Sequence, residues 1–364
     1  MEQLRDMFKD NYYKKLAGEF AKIEPGFRQD SFIKDVTKNI ENLSLNERMR
    51  QTSLTLKKYL PENYGHAIEL MMQVIPQMEY SYTQLVFPDF VGVFGHDHFD
   101  ISMEALAYFT SYGSSEFAVR EFLSRDFQKT MKVMYKWSEN SNFHVRRLAS
   151  EGSRPRLPWS FQLREVIQNP QCTRPILENL KADPELYVKK SVANHLNDIS
   201  KDSPTYMLNL VQNWGLENDH TSWIIKRACR TLIKKGHPEA LALFDCNNQI
   251  DLEIQDFSVS HANIRQDEKL LFSFKIRSSS EKVQKLIVDY QIHYCKKSGE
   301  RWPKVFKLKE IDLFSGQVVP IQKTHLFRDL TTRKHYSGMH QLDILINGNV
   351  VQSMEFELMT PTVF

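Results

Sequence analysis

HVRRLASEGSRPRLPW, residues 144–159, runs from an apolar–basic helical pattern into a Gly-Ser-Arg-Pro-Arg turn and a Pro-Trp pair. Its first five residues have counterparts along the chain. An apolar or aromatic pair followed by charge recurs as FAVRE at 117–121, HVRRL at 144–148, YVKKS at 187–191 and WIIKR at 223–227. Val119, Val145, Val188 and Ile225 follow one another at steps of 26, 43 and 37 residues. Two of these steps suit HEAT-like helical pairs, which stack into a solenoid. The long step also holds the Ser-Arg-Pro-Arg turn and a loop around QNPQCTRP, so an insertion sits inside the array.

Working outward, apolar residues recur at three- and four-residue spacing in SFIKDVTKNIENL and AIELMMQVI, the mark of amphipathic helices. Breaks are expected at EPGF (24–27), LPENYG (60–65), VFPDF (86–90), DP (183–184), DSP (202–204) and KGHP (235–238). After Phe244 the period changes. LLFSFKIRS, KLIVDYQIHYC, KVFKLKEIDL, HQLDILING and VVQSMEFEL alternate apolar with polar residues and are rich in β-branched and aromatic types. Asn347-Gly348 reads as a tight hairpin turn. The expected architecture is multidomain: an all-α HEAT-like solenoid over residues 1–245, then an all-β immunoglobulin-like sandwich over 246–364.

The 364 residues carry a formal net charge of only +3, which says little about partners. The distribution says more. Stretches 141–164, 187–201, 223–237 and 293–309 together hold 19 Lys or Arg against 3 Asp or Glu. Local basic patches of this kind attract polyanions. The four cysteines (172, 229, 246 and 295) form no C-x-x-C pair, so free thiols and a cytoplasmic location are expected. The start, MEQLRDMFKDNYYKKL, lacks the apolar core of a secretory signal, and no run is long enough to span a membrane.

Arg147, Glu151 and Arg154 are spaced i, i+4, i+7 and share a helix face. The next repeat puts Lys190, Asn194 and Asn197 at matching places with Asp198 adjacent, and the fourth gives Arg227, Thr231 and Lys234. Glu116 and Arg120 form a further i, i+4 pair. Equivalent faces of stacked repeats line one concave surface, here cationic with a few carboxylates held among the cations. Such pairs are also common on ordinary solvated helices, where they contribute only a few tenths of a kcal/mol. The compact His96-Asp97-His98 triplet is a poor metal site, and none is expected. A cationic surface suits a nucleic-acid backbone, and carboxylates within it repel phosphate. One chemical reason to keep them is charge at a sugar. Breaking a glycosidic bond builds oxocarbenium character, which a fixed carboxylate stabilises while it orients water.

Four segments carry a resemblance: SMEALAYFTSYGSSEFAVREFL (102–123), NFHVRRLASEGSRPRLPW (142–159), YVKKSVANHLNDISKDSP (187–204) and SWIIKRACRTLIKKGHPEAL (222–241). Together they resemble the AlkC branch of the bacterial AlkC/AlkD DNA alkylation-repair glycosylases across nearly the whole helical half. The C-terminal β region fits by pattern and position. The resemblance implies a monofunctional, cofactor-free glycosylase. It would remove N3-methyladenine and other small cationic methylated bases from double-stranded DNA as a monomer, without flipping the base into a deep pocket. It implies catalytic roles for Glu116, Glu151 and Asp198, with Trp159 pressed on the exposed nucleotide. It also implies DNA contacts from Arg120, Arg147, Arg154, Arg156, Lys190, Asn194, Arg227 and Arg230. The alternatives are a non-enzymatic scaffold binding DNA or protein, and an RNA-acting protein. A scaffold is favoured if the carboxylates are locked in core ion pairs.

Overall fold

The computed structural model describes residues 4–247, 249–329 and 334–361. Residues 1–3, which open the charged N-terminal stretch, lie outside them. Helices run to Ala242 and strands begin at Leu252. No helix among the described residues is long and apolar enough to cross a membrane. By packing, the chain forms two compact units: Met1–Ser203 with Asn213–Ala228, and Pro204–Gln212 with Cys229–Phe364.

In the first unit the helices form two layers. Leu45–Tyr59, Val86–Phe94 and Ala118–Arg125 pack in succession, as do Phe143–Gly152, Leu186–Ile199 and Asp219–Ala228. Phe99–Phe109, Phe127–Trp137 and Arg174–Leu180 pack against them from the second layer. The four repeat positions each lie in a helix of the first layer. Val119 (0%), Val145 (3%), Val188 (0%) and Ile225 (0%) are all sealed from solvent.

Local chemistry sets the helix ends. Asn142 starts the helix Phe143–Gly152 by accepting the His144 backbone N–H at 2.9 Å, and Asn63 and Asp126 cap two others in the same way. Ser44 and Glu47 form a reciprocal capping box. One expected break is absent: VFPDF lies inside the helix Val86–Phe94. Pro88 falls in the first turn, where an N–H has no intrahelical partner to lose.

The strands are β1 (Leu252–Val259), β2 (Asn263–Arg265), β3 (Lys269–Ser278), β4 (Gln284–Cys295), β5 (Arg301–Leu313), β6 (Val318–Leu326), β7 (Gly338–Ile346) and β8 (Asn349–Met359). They form a three-stranded sheet, β1-β3-β6, and a five-stranded sheet, β2-β8-β7-β4-β5. Phe272, Phe274 and Ile276 of one sheet meet Val288, Tyr290, Ile292, Leu342 and Ile344 of the other in a single core. That is a β-sandwich, its core filled by the facing sides of the two sheets. Asn347 and Gly348 take φ of 48° and 80°, the left-handed pair that a tight hairpin between β7 and β8 requires. A Cβ on Gly348 would stand 2.3 Å from the Gly236 nitrogen, so the turn also needs glycine for space. The short helices Arg230–Lys234 and Pro238–Ala242 belong to this second unit, and Lys234 donates to the Val305 carbonyl at 3.1 Å.

Candidate active site and nucleic-acid interface

The buried valine or isoleucine of each repeat gives a common register for the cations. Arg147, Lys190 and Arg227 hold the second position after it, whereas Arg120 holds the first. The Arg120 side chain is buried, with 0% exposure, so it offers no open face to a phosphate. Its Nη1 donates to the carbonyls of Gly152 (3.0 Å) and Arg154 (2.7 Å), and its Nη2 donates to that of Phe161. Nor does it pair with Glu116. The helix starts at Ala118, so the i, i+4 geometry does not reach back to that residue.

Glu116 instead pairs with Arg147 on the next repeat. Its Oε2 accepts from Arg147 Nη1 and from the Ser114 hydroxyl at 2.8 Å. Arg147 also approaches Glu151 Oε1 at 3.5 Å. From the other side Arg154 Nη1 donates to that same oxygen at 2.6 Å. Arg154 then reaches Asp198 through Nε at 2.8 Å and Nη2 at 2.7 Å, and Lys201 closes the row on Asp198 Oδ1 at 2.8 Å. Three stacked helical levels thus contribute alternating acids and cations to one ladder.

A Gly at 152 makes the ladder possible. A Cβ there would stand 2.6 Å from Val119 Cγ1 and 3.0 Å from Met134 Cε, so only glycine lets these helices approach. The carboxylates differ in access: the side chains of Glu116, Glu151 and Asp198 are 15%, 7% and 3% exposed. Burial opposes ionisation of Glu151, but Arg147 and Arg154 outweigh it and hold its carboxyl below the ordinary range. Burial likewise opposes charge on Arg147 and Arg154, and the neighbouring carboxylates reverse this and raise both. Beneath the ladder the fully buried His195 holds its Nδ1 2.9 Å from the Ser150 carbonyl oxygen. Burial pushes its pKa down to about 4, so it is neutral.

Trp159 stands 72% exposed with φ of +65°, a left-handed backbone costly for any residue but glycine. Arg156 pairs with Asp202 at 2.6 Å, with the side chains 26% and 28% exposed. Lys190 is exposed and Asn194 partly so. Arg227 lies against the Trp223 ring, 5.5 Å from its centroid, with Lys189 at 5.7 Å. Arg230 falls in the second compact unit. His96 packs on Phe122 and His98 on Tyr64, so both rings serve as packing surfaces.

Partners of the ladder that the sequence did not mark include Ser114, Lys201 and Tyr187. The Tyr187 ring lies 4.7 Å from the Arg147 guanidinium carbon and 5.9 Å from the His144 ring. The signal was present, because His144 and Tyr187 each precede the buried valine of their repeats.

Known proteins similar to this chain cover both its helical and its β regions. A family model described as "Uncharacterised protein YhaZ, C-terminal Ig-like domain" matches residues 253–360. The chain is 39% identical over 359 residues to a Bacillus subtilis (strain 168) protein described as "Uncharacterized protein YhaZ", covering 98% of this chain and 100% of that one. It is also similar to the solved structure of the Pseudomonas fluorescens alkylpurine DNA glycosylase AlkC bound to DNA containing an abasic site analogue. That match has a TM-score of 0.95 and 44% identity, over 98% of this chain and 100% of the other.

Proposed function

The chain belongs to the AlkC family, and on that premise we propose that it is a DNA-repair glycosylase that excises N3-methyladenine and other small cationic methylated bases from duplex DNA. The observation that carries this reading is Glu116, the carboxylate that keeps 15% exposure at the open end of the ladder. Glu151 sits between two arginines that keep it ionised. Such a group is a poor proton donor and a good fixed anion. A cationic base needs no proton to leave. The bond from C1′ to the purine nitrogen breaks, its electron pair neutralises the base, and the sugar carries the positive charge. Glu116 and Glu151 stabilise that charge, water adds at C1′, and its proton passes to solvent. Glu116 is the most exposed of the three carboxylates and stands nearest to a ligand arriving from solvent.

Trp159 supplies an exposed indole to press on the damaged nucleotide, with no deep pocket needed to swallow the base. Arg156, Lys190 and Arg227 hold phosphates, and Arg147 and Arg154 divide their charge between the acids and the DNA backbone. The basic stretch 295–309, largely on the edge strand β5, offers a second phosphate contact. No cofactor enters this chemistry. The protein acts as a monomer in the bacterial cytoplasm, at the nucleoid when bound to DNA.

A binding scaffold is the second reading: Glu151 and Asp198 are locked in buried ion pairs, which is the arrangement expected of a scaffold, while Glu116 keeps access to solvent. Base release from methylated DNA separates the two. A glycosylase frees N3-methyladenine and leaves abasic sites, whereas a scaffold binds DNA and frees nothing.

A further inference from the structure

We propose that Arg120 is the positioning residue of this site: it fixes the loop that carries Arg154 and Trp159, and so sets where the indole stands. The loop leaves the helix at Gly152 and returns at Leu163, whose N–H donates to the Pro155 carbonyl at 3.1 Å. Arg120 grips both ends. Its fork donates to the carbonyls of Gly152 and Arg154 at the entry and to that of Phe161 at the exit. The Phe161 ring covers the guanidinium, 5.2 Å from the central carbon to the ring centroid. Trp159 lies between these anchors in its left-handed backbone. Strain of that kind persists only where the surroundings over-determine the chain.

A lysine cannot replace this clamp. Its ammonium is a point charge, whereas the planar fork spans separate acceptors and presents a face to an aromatic ring. Arg120 touches no solvent, so it acts only through the loop. Arg154 is thereby held at both ends, its carbonyl by Arg120 and its guanidinium by Glu151 and Asp198.

The catalytic consequence rests on the glycosylase reading, but the positioning itself is measured without DNA. Time-resolved anisotropy of Trp159 emission, taken as the difference between the full chain and its W159F variant, reads the order of the loop. R120K, with R120K/W159F as its blank, is expected to add a fast local decay to Trp159. On methylated DNA it is expected to slow single-turnover base release by about 100-fold while DNA affinity changes by less than about twofold. An unchanged Trp159 decay in R120K overturns the proposal. If R120K does not melt cooperatively, F161A decides instead, since its ring is partly exposed and its carbonyl stays in place. A fast Trp159 decay is expected there too, and a decay identical to that of the unmutated chain overturns the proposal. An unmutated chain that releases no base sinks the glycosylase reading and leaves the anisotropy result to decide the role of Arg120.

Discussion

Glu116 and Arg147 stand 31 residues apart in sequence and share a hydrogen bond between successive helical levels. Each is also tied to Ser114, which donates to Glu116 and accepts from Arg147, both at 2.8 Å. The pair is the open end of a ladder that runs inward through Glu151 and Arg154 to Asp198. Access falls along this row while ion pairing is retained, and that gradient separates the expected effects of its members.

E116Q keeps the shape and both hydrogen bonds, and Arg147 still has Glu151. It is expected to cost about 1 kcal/mol of stability and to cut base release by at least about 100-fold. E151Q leaves two largely buried arginines short of an anion, so it should lower stability by about 3 kcal/mol as well as stopping release. Urea melts beside single-turnover assays check both. Equal stability losses in the two variants would contradict the gradient.

Trp159 is exposed and backbone-strained, so its removal should leave the fold intact. W159G gains the φ that glycine prefers and loses the indole. Its melting free energy should stay within about 1 kcal/mol of the unmutated chain, while base release falls. A large loss of stability would show that the indole is a packing anchor.

Gly152 is where two helical levels touch. G152A puts a methyl group 2.6 Å from Val119 Cγ1, and overpacking of that kind costs about 1–3 kcal/mol. It also parts Glu116 from Arg147, so release should fall together with the melting temperature. An unchanged melt would mean that the close approach is relaxed at no cost.

His195 gives the molecule an acid limit. Its folded pKa is about 4 against 6.5 when free. A group depressed on folding contributes stability that is fully present above pH 6.5 and is lost as pH falls toward 4, because the unfolded chain takes up the proton first. The loss attributable to it is on the order of 3 kcal/mol. Urea midpoints between pH 7 and 4 should fall more steeply for the unmutated chain than for H195Q. Parallel slopes would remove His195 from the account.

Much of this was readable from residues. The buried valines of the repeats set the register, and Arg147, Lys190 and Arg227 followed two places on. That register does not decide burial: Lys226 directly follows Ile225 and is exposed, whereas Arg120 directly follows Val119 and is buried. It was grouped with Glu116 on spacing alone, and the helix begins too late for that spacing to apply. The Glu116–Arg147 pair was not readable, because it depends on how closely Gly152 lets two helices approach. In the β half the five strongly alternating runs all became strands. β1, β2 and β6 were not singled out: β2 is only three residues long, few residues of β1 and β6 are fully buried, and Pro320 lies inside β6. The helix over VFPDF was missed because a proline in a first turn looks, in sequence, like a break.

The most direct measurement is mass-spectrometric identification of the bases released when the full chain is incubated with methylated duplex DNA. The account predicts free N3-methyladenine with a matching rise in abasic sites, and its loss in E116Q. N3-methyladenine no more abundant than its spontaneous release, from a folded chain that binds the same DNA, would contradict it.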